Sequence, residues 1–281
     1  MLLTIAALGC DGCSDGGGMY ATVTVKDKEL TVEWHRADPG RRYPAVEHAP
    51  LGDQRGVLVG WPYDRIQHYS SQGSGGGFEV LFLASDGRIV ERQHLKANSD
   101  EGVTSKVEAR YALLVAEGWL ARMNVSESDR VAFSGGITGN APEAMPEIKV
   151  GGVPLRVEVA ASGPEQTRGL MHRRAMSAED GMVFLYPSEK ERAFWMGNCH
   201  YPIDIAYFDA AGKFINVVPM EPYPDPKVDT GKRAPSERPA QYIVETHKGW
   251  FKAKGLVDAE GKATRDFVLE MPASVRSYKG K

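Results

Sequence analysis

Two charged residues stand inside apolar sequence, where an ionised side chain needs a partner. Arg168 precedes the apolar run 169–171, and Asp204 lies between Ile203 and Ile205. A buried carboxylate requires a cation or several hydrogen-bond donors, and a guanidinium can supply two parallel ones. The pattern therefore predicts a buried salt bridge between Arg168 and Asp204, with a ligand-binding role for either residue as the alternative.

The aromatic segment Phe194-Trp195-Met196 precedes a predicted strand. Alternation would send Trp195 to the face opposite its two neighbours. The segment either packs in the core or lets Trp195 form the floor of a ligand-binding cleft, because exposed aromatic rings stack on sugars and cations. Trp195, Asn198 and Asp204 would share that cleft, so these three and Arg168 are the candidate ligand-binding residues.

Other residue types with catalytic or metal-binding potential lack the spacing that such chemistry needs. Cys199 and His200 are adjacent, so an extended backbone points them to opposite faces, and a buried thiol is the expected state of Cys199. The seven histidines show no H-x-H, H-x-x-x-H or H-E-x-x-H spacing. The loop with Asp225 and Asp229 lacks the pattern of a calcium loop. We therefore predict no catalytic residue, no metal and no cofactor.

Length and composition favour a two-domain globular protein with many short strands. The chain has 281 residues, 34 Lys and Arg against 37 Asp and Glu, and a formal net charge of −3. An isoelectric point near 6.2 argues against a dedicated nucleic-acid-binding protein. Hydrophobic residues at 42% exclude wholesale disorder and a multi-span membrane protein. The 31 glycines indicate many turns.

The N-terminal residues have the character of an export signal. Residues 1–9 are apolar or small, and Ala7-Leu8-Gly9-Cys10 resembles the lipobox at which bacterial lipoproteins are cut and lipidated. We predict that residues 1–18 are a partial lipoprotein signal and a glycine-rich tether, with Cys10 as the lipidated residue. The alternatives are a mildly apolar terminus, or a redox or metal pair of Cys10 with Cys13.

Strand-like alternation dominates the rest of the chain, and the residue pattern repeats. Residues 134–146 have the composition of a linker and separate a body at 19–133 from another at 147–276. Residues 80–90 match 205–215, residues 109–114 match 240–245, and residues 54–58 match 167–171. Short helices are predicted after Ser162 and after each of the pairs Gly118-Trp119 and Gly249-Trp250. The predicted fold is mainly β, with two tandem β-sandwich or barrel-like domains and a few short helices.

The second body carries three notable motifs: residues 167–173 (TRGLMHR), 181–184 (GMVF) and 194–206 (FWMGNCHYPIDIA). Together they resemble the domain-of-unknown-function 192 family. The resemblance covers about residues 147–271. It implies a compact, mostly β, sandwich-like domain that often carries an export signal, and no established activity. Gly197 and Cys199 replace the basic residue and the threonine usual in the family. The first body lacks the FWM-x-N motif and is interpreted as a degenerate copy without the element at 190–202.

These observations predict an exported cell-envelope lipoprotein, tethered to a membrane by its lipid anchor. Its expected role is that of a non-enzymatic binding or accessory module for an envelope glycan or protein ligand, without nucleic acid as a partner. Two alternatives stay open: an envelope-acting hydrolase with Asp204 as the acid or base, and a purely structural spacer.

Overall fold

Two seven-stranded sheets supply most of the regular structure in the computed structural model. The structure describes residues 19–37, 51–71, 73–99, 101–134, 137, 144–171, 173, 176–225 and 228–280. The predicted tether, with Cys10, lies outside these residues. No helix in the described ranges is long and apolar enough to cross a membrane.

The strands of the first half are β1 (Met19–Val25), β2 (Lys28–Arg36), β3 (Arg55–Arg65), β4 (His68–Tyr69), β5 (Phe78–Leu83), β6 (Ile89–Leu95), β7 (Val103–Thr104), β8 (Ala109–Ala116) and β9 (Val131–Phe133). Those of the second half are β10 (Glu147–Val150), β11 (Val153–Ala160), β12 (Asp180–Lys190), β13 (Ala193–Phe194), β14 (Ile203–Phe208), β15 (Phe214–Met220), β16 (Ala234–Pro235), β17 (Ala240–His247) and β18 (Leu269–Glu270). The four short helices are α1 (Trp119–Arg122), α2 (Gly163–Arg168), α3 (Trp250–Ala253) and α4 (Ala273–Arg276).

Both sheets have the same topology. The first runs β6-β5-β8-β3-β2-β1-β9 and the second β15-β14-β17-β12-β11-β10-β18. In each, one pair of neighbouring strands is parallel, β2 with β3 and β11 with β12. Each sheet curls into a half-barrel. The prediction of two tandem, mainly β domains with a few short helices is confirmed.

Strand register confirms the internal duplication. Phe78 pairs with Ala116, and Ile203 pairs with His247, so the two pairs are related by offsets of 125 and 131 residues. The matched turns contain Gly87 at φ 81° and Gly212 at φ 78°. A side chain on either glycine would meet a backbone carbonyl, at 2.0 Å and 2.7 Å respectively. Glycine is therefore required in both copies of this turn.

Two details of the predicted repeat are wrong. In the strand register, Arg55 pairs with Thr31 as Asp180 pairs with Arg156, so residues 54–58 are equivalent to 179–183 and not to 167–171. The first copy also keeps the element at 190–202. It forms the two-stranded sheet β4–β7, which corresponds to β13–β16 in the second copy. The β4–β7 sheet differs in sequence from the β13–β16 sheet, but it covers the same face of its own seven-stranded sheet.

Alternation along β14 defines two faces of the second sheet. Ile203, Ile205 and Tyr207 pack with Met196 and Cys199 under the β13–β16 sheet, on what we term the flap face. Ala206 and Phe208 pack with Trp250 and Phe251 of α3, on what we term the helix face. Both faces are covered. Helix α3 packs on the helix face, and Leu170, Met176 and the β13–β16 sheet pack on the flap face.

Candidate functional site

Asp204 lies on the helix face, where it holds the start of α3. Its Oδ2 accepts a hydrogen bond from the backbone N–H of Gly249 at 2.9 Å, and the N–H groups of Trp250 and Phe251 also favour its ionised form. Burial raises the pKa of Asp204 and these bonds oppose the rise. The first copy uses Glu79 in the same way, accepting from the N–H of Leu120 at 2.7 Å. Asp204 therefore acts as a helix cap.

The predicted salt bridge between Arg168 and Asp204 is wrong. Arg168 ends α2, whose continuation packs Leu170 into the flap face, while Asp204 points to the opposite side of the sheet. The carboxylate is satisfied by backbone donors instead of a guanidinium. Arg168 Nη1 is buried and has no hydrogen-bond partner in the described part of the chain.

Trp195 and Asn198 lie near the β13–β16 sheet, on the flap face, and share no cleft with Asp204 on the helix face. Trp195 is 38% exposed, and the guanidinium of Arg233 lies 5.6 Å from its ring centre. Gly197 lies against this ring, because a Cβ there would be 2.6 Å from it. Asn198 has φ 56°, and its equivalent in the first copy is Gly73 at φ 84°. The asparagine therefore forms a left-handed turn, a conformation that asparagine tolerates.

A buried charged triad joins the two copies. Glu158 on β11 accepts from both Nη atoms of Arg173, with Nη2 to Oε2 at 2.5 Å, and from Arg65 Nη1 of β3 at 2.9 Å. All three residues are at most 5% exposed. Burial acts to raise the pKa of Glu158, but the two guanidinium groups outweigh it and hold that pKa below its usual value. Glu158 is therefore ionised between two cations.

A second set of charges spans the same junction. Glu108 of the first copy pairs with Arg156, with Nη1 to Oε2 at 3.0 Å, and accepts from the Ser177 hydroxyl at 2.7 Å. Arg156 Nε also donates to Asp180 at 2.8 Å. Burial, with help from Glu108, raises the pKa of Asp180 to about 6. The end of β3 and the start of β8 thus dock on the second copy.

Glu245 on β17 is a buried acid of the flap face. It is 4% exposed, and its Oε2 has no hydrogen-bond partner among the described residues. Burial raises its pKa to about 8, although Arg173 lowers it. The side chain is therefore a neutral carboxylic acid at pH 7, able both to donate and to accept a hydrogen bond.

The surroundings of Glu245 are apolar and close. A Cβ on Gly169 would be 3.1 Å from the Phe184 ring and 3.9 Å from Glu245 Oε2. The backbone of the TRGLMHR motif, to which Gly169 belongs, therefore passes beside the Glu245 carboxyl. Burial and Glu245 together raise the pKa of Tyr207, and raise that of Cys199 to about 12. Cys199 is therefore a neutral thiol at pH 7 and a poor nucleophile. In the described ranges, no three His, Cys, Asp or Glu side chains are placed to hold a metal.

Sequence reasoning missed Glu158, Arg173 and Glu245 as central residues. Glu158 alternates with Val157 and Val159 and therefore resembles a solvent-facing position. Arg173 closes the TRGLMHR motif, which was a usable signal. Glu245 stands where the first copy has Leu114, and this exchange of an apolar for an acidic residue within a repeat was a second usable signal.

One family model matches this chain twice, in agreement with the duplicated architecture. The model of the DUF192 family, described as uncharacterized ACR, matches residues 21–133 and again 147–274. No curated protein matches the chain. A candidate transcription regulator from Sinorhizobium meliloti 1021 is 21% identical over 43% of this chain and 98% of its own, with a TM-score of 0.39. A protein of unknown function from Novosphingobium aromaticivorans DSM 12444 is 24% identical over 47% of this chain and 94% of its own, with a TM-score of 0.38.

Proposed function

The chain belongs to the DUF192 family in both of its halves, and from this premise we propose a cell-envelope lipoprotein whose second domain binds a ligand without catalysis. The observation that carries the binding role is that Glu245 Oε2, although buried, has no hydrogen-bond partner among the residues that the structure describes. Buried polar atoms in native proteins nearly always have a partner, so an orphan of this kind calls for a ligand or an ordered water. A neutral carboxyl in an apolar surround suits a hydroxyl or amide group of a ligand.

Aromatic residues connect Glu245 to the surface. The Phe194 ring packs edge-on against the rings of Phe184 and Tyr207, which lie beside Glu245, with ring centres 5.0 Å and 6.2 Å apart. The next residue, Trp195, is exposed. An exposed indole near a buried polar group is a combination that suits the binding of a glycan or a peptide. We therefore propose an envelope glycan or peptide segment as the ligand.

The two other functions are less favoured. A hydrolase would need a free acid or base, whereas the Asp204 carboxylate accepts from the backbone of α3 and faces away from Trp195. A structural spacer would need no ligand, and it would leave Glu245 Oε2 without a hydrogen-bond partner among the described residues.

The ligand proposal predicts a loss of affinity in two variants. Soluble muropeptides, titrated into the full chain by calorimetry, should bind the wild type and bind Glu245→Leu about tenfold or more weakly, because a buried hydrogen bond to the ligand is lost. Trp195→Ala should weaken binding similarly. Glu270→Leu replaces an exposed glutamate and should bind as the wild type does. Equal affinity in all four proteins, or no binding by the wild type, would contradict the proposal.

The lipoprotein proposal predicts a membrane-bound protein. Expressed from its native locus, the wild type should partition into detergent, because several acyl chains anchor firmly. Cys10→Ser should be released or left unprocessed. Cys13→Ser, which alters the neighbouring cysteine and keeps the lipobox-like segment, should still partition into detergent. A wild type recovered in the aqueous phase would exclude the anchor.

A further inference from the structure

One strand ends differently in the two copies. β3 and β12 have eleven residues each and are equivalent in register. Tyr63 and Arg65 near the end of β3 are buried, whereas their equivalents Ser188 and Lys190 on β12 are exposed. The difference arises because the end of β3 docks on the second copy, where Arg65 meets Glu158.

The surfaces around Glu158 and around its equivalent in the first copy also differ in exposure. Glu158 on β11 corresponds to Glu33 on β2, with the offset of 125 residues that relates the two sheets. Beside Glu33, on β1, lies Tyr20, which is 61% exposed, and its equivalent Met145 is 9% exposed. Met145, beside the strand end that docks in the second copy, is therefore covered, whereas its equivalent Tyr20 is a large exposed aromatic side chain.

From these two differences we propose that the exposed end of β12 docks on the first copy of a second molecule, with Lys190 meeting Glu33. The contact would repeat between chains the contact that Arg65 and Glu158 make within one chain. Such an interface joins two unlike surfaces, so it is heterologous and builds rings or filaments instead of a symmetric dimer. This inference is independent of the ligand proposed for Glu245.

The charges suit this contact. The Glu33 carboxylate, whose side chain is 20% exposed, lies 3.0 Å from His35 Nε2. Glu158 accepts from Arg173 and from Arg65 at once, so a carboxylate at this position of the sheet can accept from several donors. Lys190 is an exposed cation at the position of Arg65. Lysine lacks the planar guanidinium with which arginine donates two parallel hydrogen bonds, so the contact between chains should be weaker than the one within the chain.

Sedimentation velocity of the full chain over a range of micromolar concentrations tests the proposal. The wild type should associate beyond a dimer as its concentration rises. Lys190→Glu and Glu33→Lys should each weaken association about tenfold or more, because like charges then face each other. The double variant, Lys190→Glu with Glu33→Lys, should restore association. Lys252→Glu places the same charge change on an exposed lysine of α3 and should associate as the wild type does.

Each alternative outcome overturns the proposal. A wild type that stays monomeric throughout shows that the end of β12 has no partner in another copy. Association that survives Lys190→Glu places the contact elsewhere. A double variant that does not recover shows that Lys190 and Glu33 do not meet. Circular dichroism of each variant checks that the fold is retained. If a single variant does not fold, Tyr20→Ala is tested in its place and should also weaken association.

Discussion

Glu158→Leu should lower the free energy of unfolding of the full chain by about 3–5 kcal/mol, because it leaves two buried guanidinium groups without their shared anion. Arg65 and Arg173 would then face each other inside the protein, where charge is poorly solvated. Typical domains are stable by only 5–15 kcal/mol, so this loss is a large share of the total. Denaturant unfolding followed by tryptophan fluorescence measures it.

Two controls separate the stranded charges from the loss of the carboxylate itself. The triple variant Arg65→Met, Glu158→Leu and Arg173→Met replaces the whole triad by apolar side chains and should recover most of the lost stability. Glu221→Gln breaks the exposed pair with Lys248 and should cost at most about 1 kcal/mol. If Glu158→Leu behaved like Glu221→Gln, the triad would not be a buried, coupled unit.

The location of Arg65 gives the same variant a second consequence. Because Arg65 belongs to the first copy and Glu158 to the second, the triad links the two sheets through buried side chains. Without it, we expect the two copies to unfold in separate transitions. One cooperative transition in Glu158→Leu would show that other contacts, such as Glu108 with Arg156, suffice to couple them.

Local sequence signals predicted the elements of this fold well. Strand-like residue patterns predicted a mainly β fold, and the turns at Gly87 and Gly212 were identifiable because both need a left-handed glycine. The helices after Gly118 and Gly249 followed from repeated Gly-Trp pairs. These features depend on a few consecutive residues, and so the sequence contains them directly.

Contacts between distant segments were predicted poorly. Asp204 was expected to need a cation, yet the N–H group of Gly249, 45 residues away, and those of the first residues of α3 satisfy it. Glu158 alternates as a surface residue would, and it is buried because the segment carrying Arg173 and the end of β3 cover it. Alternation reports that two faces differ; it does not report what later covers the polar one.

The pKa of Glu245 makes the stability of the protein depend on pH in a particular direction. An unfolded glutamic acid has a pKa of about 4.3, and burial raises the pKa in the folded chain to about 8. The folded state therefore binds the proton more tightly. The stability contributed by this group is present below about pH 4.3, falls as the pH rises, and is fully lost above about pH 8. This difference between the folded and unfolded pKa values corresponds to a change of roughly 5 kcal/mol in the free energy of unfolding.

Glu245→Gln should abolish this dependence, because glutamine keeps the shape of the neutral acid and cannot ionise. Unfolding free energies measured from pH 5 to pH 9 should diverge, with the variant becoming more stable than the wild type by several kcal/mol at the alkaline end. Asp180 and other titrating groups are common to both proteins and cancel in the difference. Glu270→Gln, at an exposed position, should follow the wild type throughout. Parallel profiles for wild type and Glu245→Gln would mean that Arg173 moves to pair with the ionised acid, and that Glu245 is not the neutral hydrogen-bonding group on which ligand binding depends.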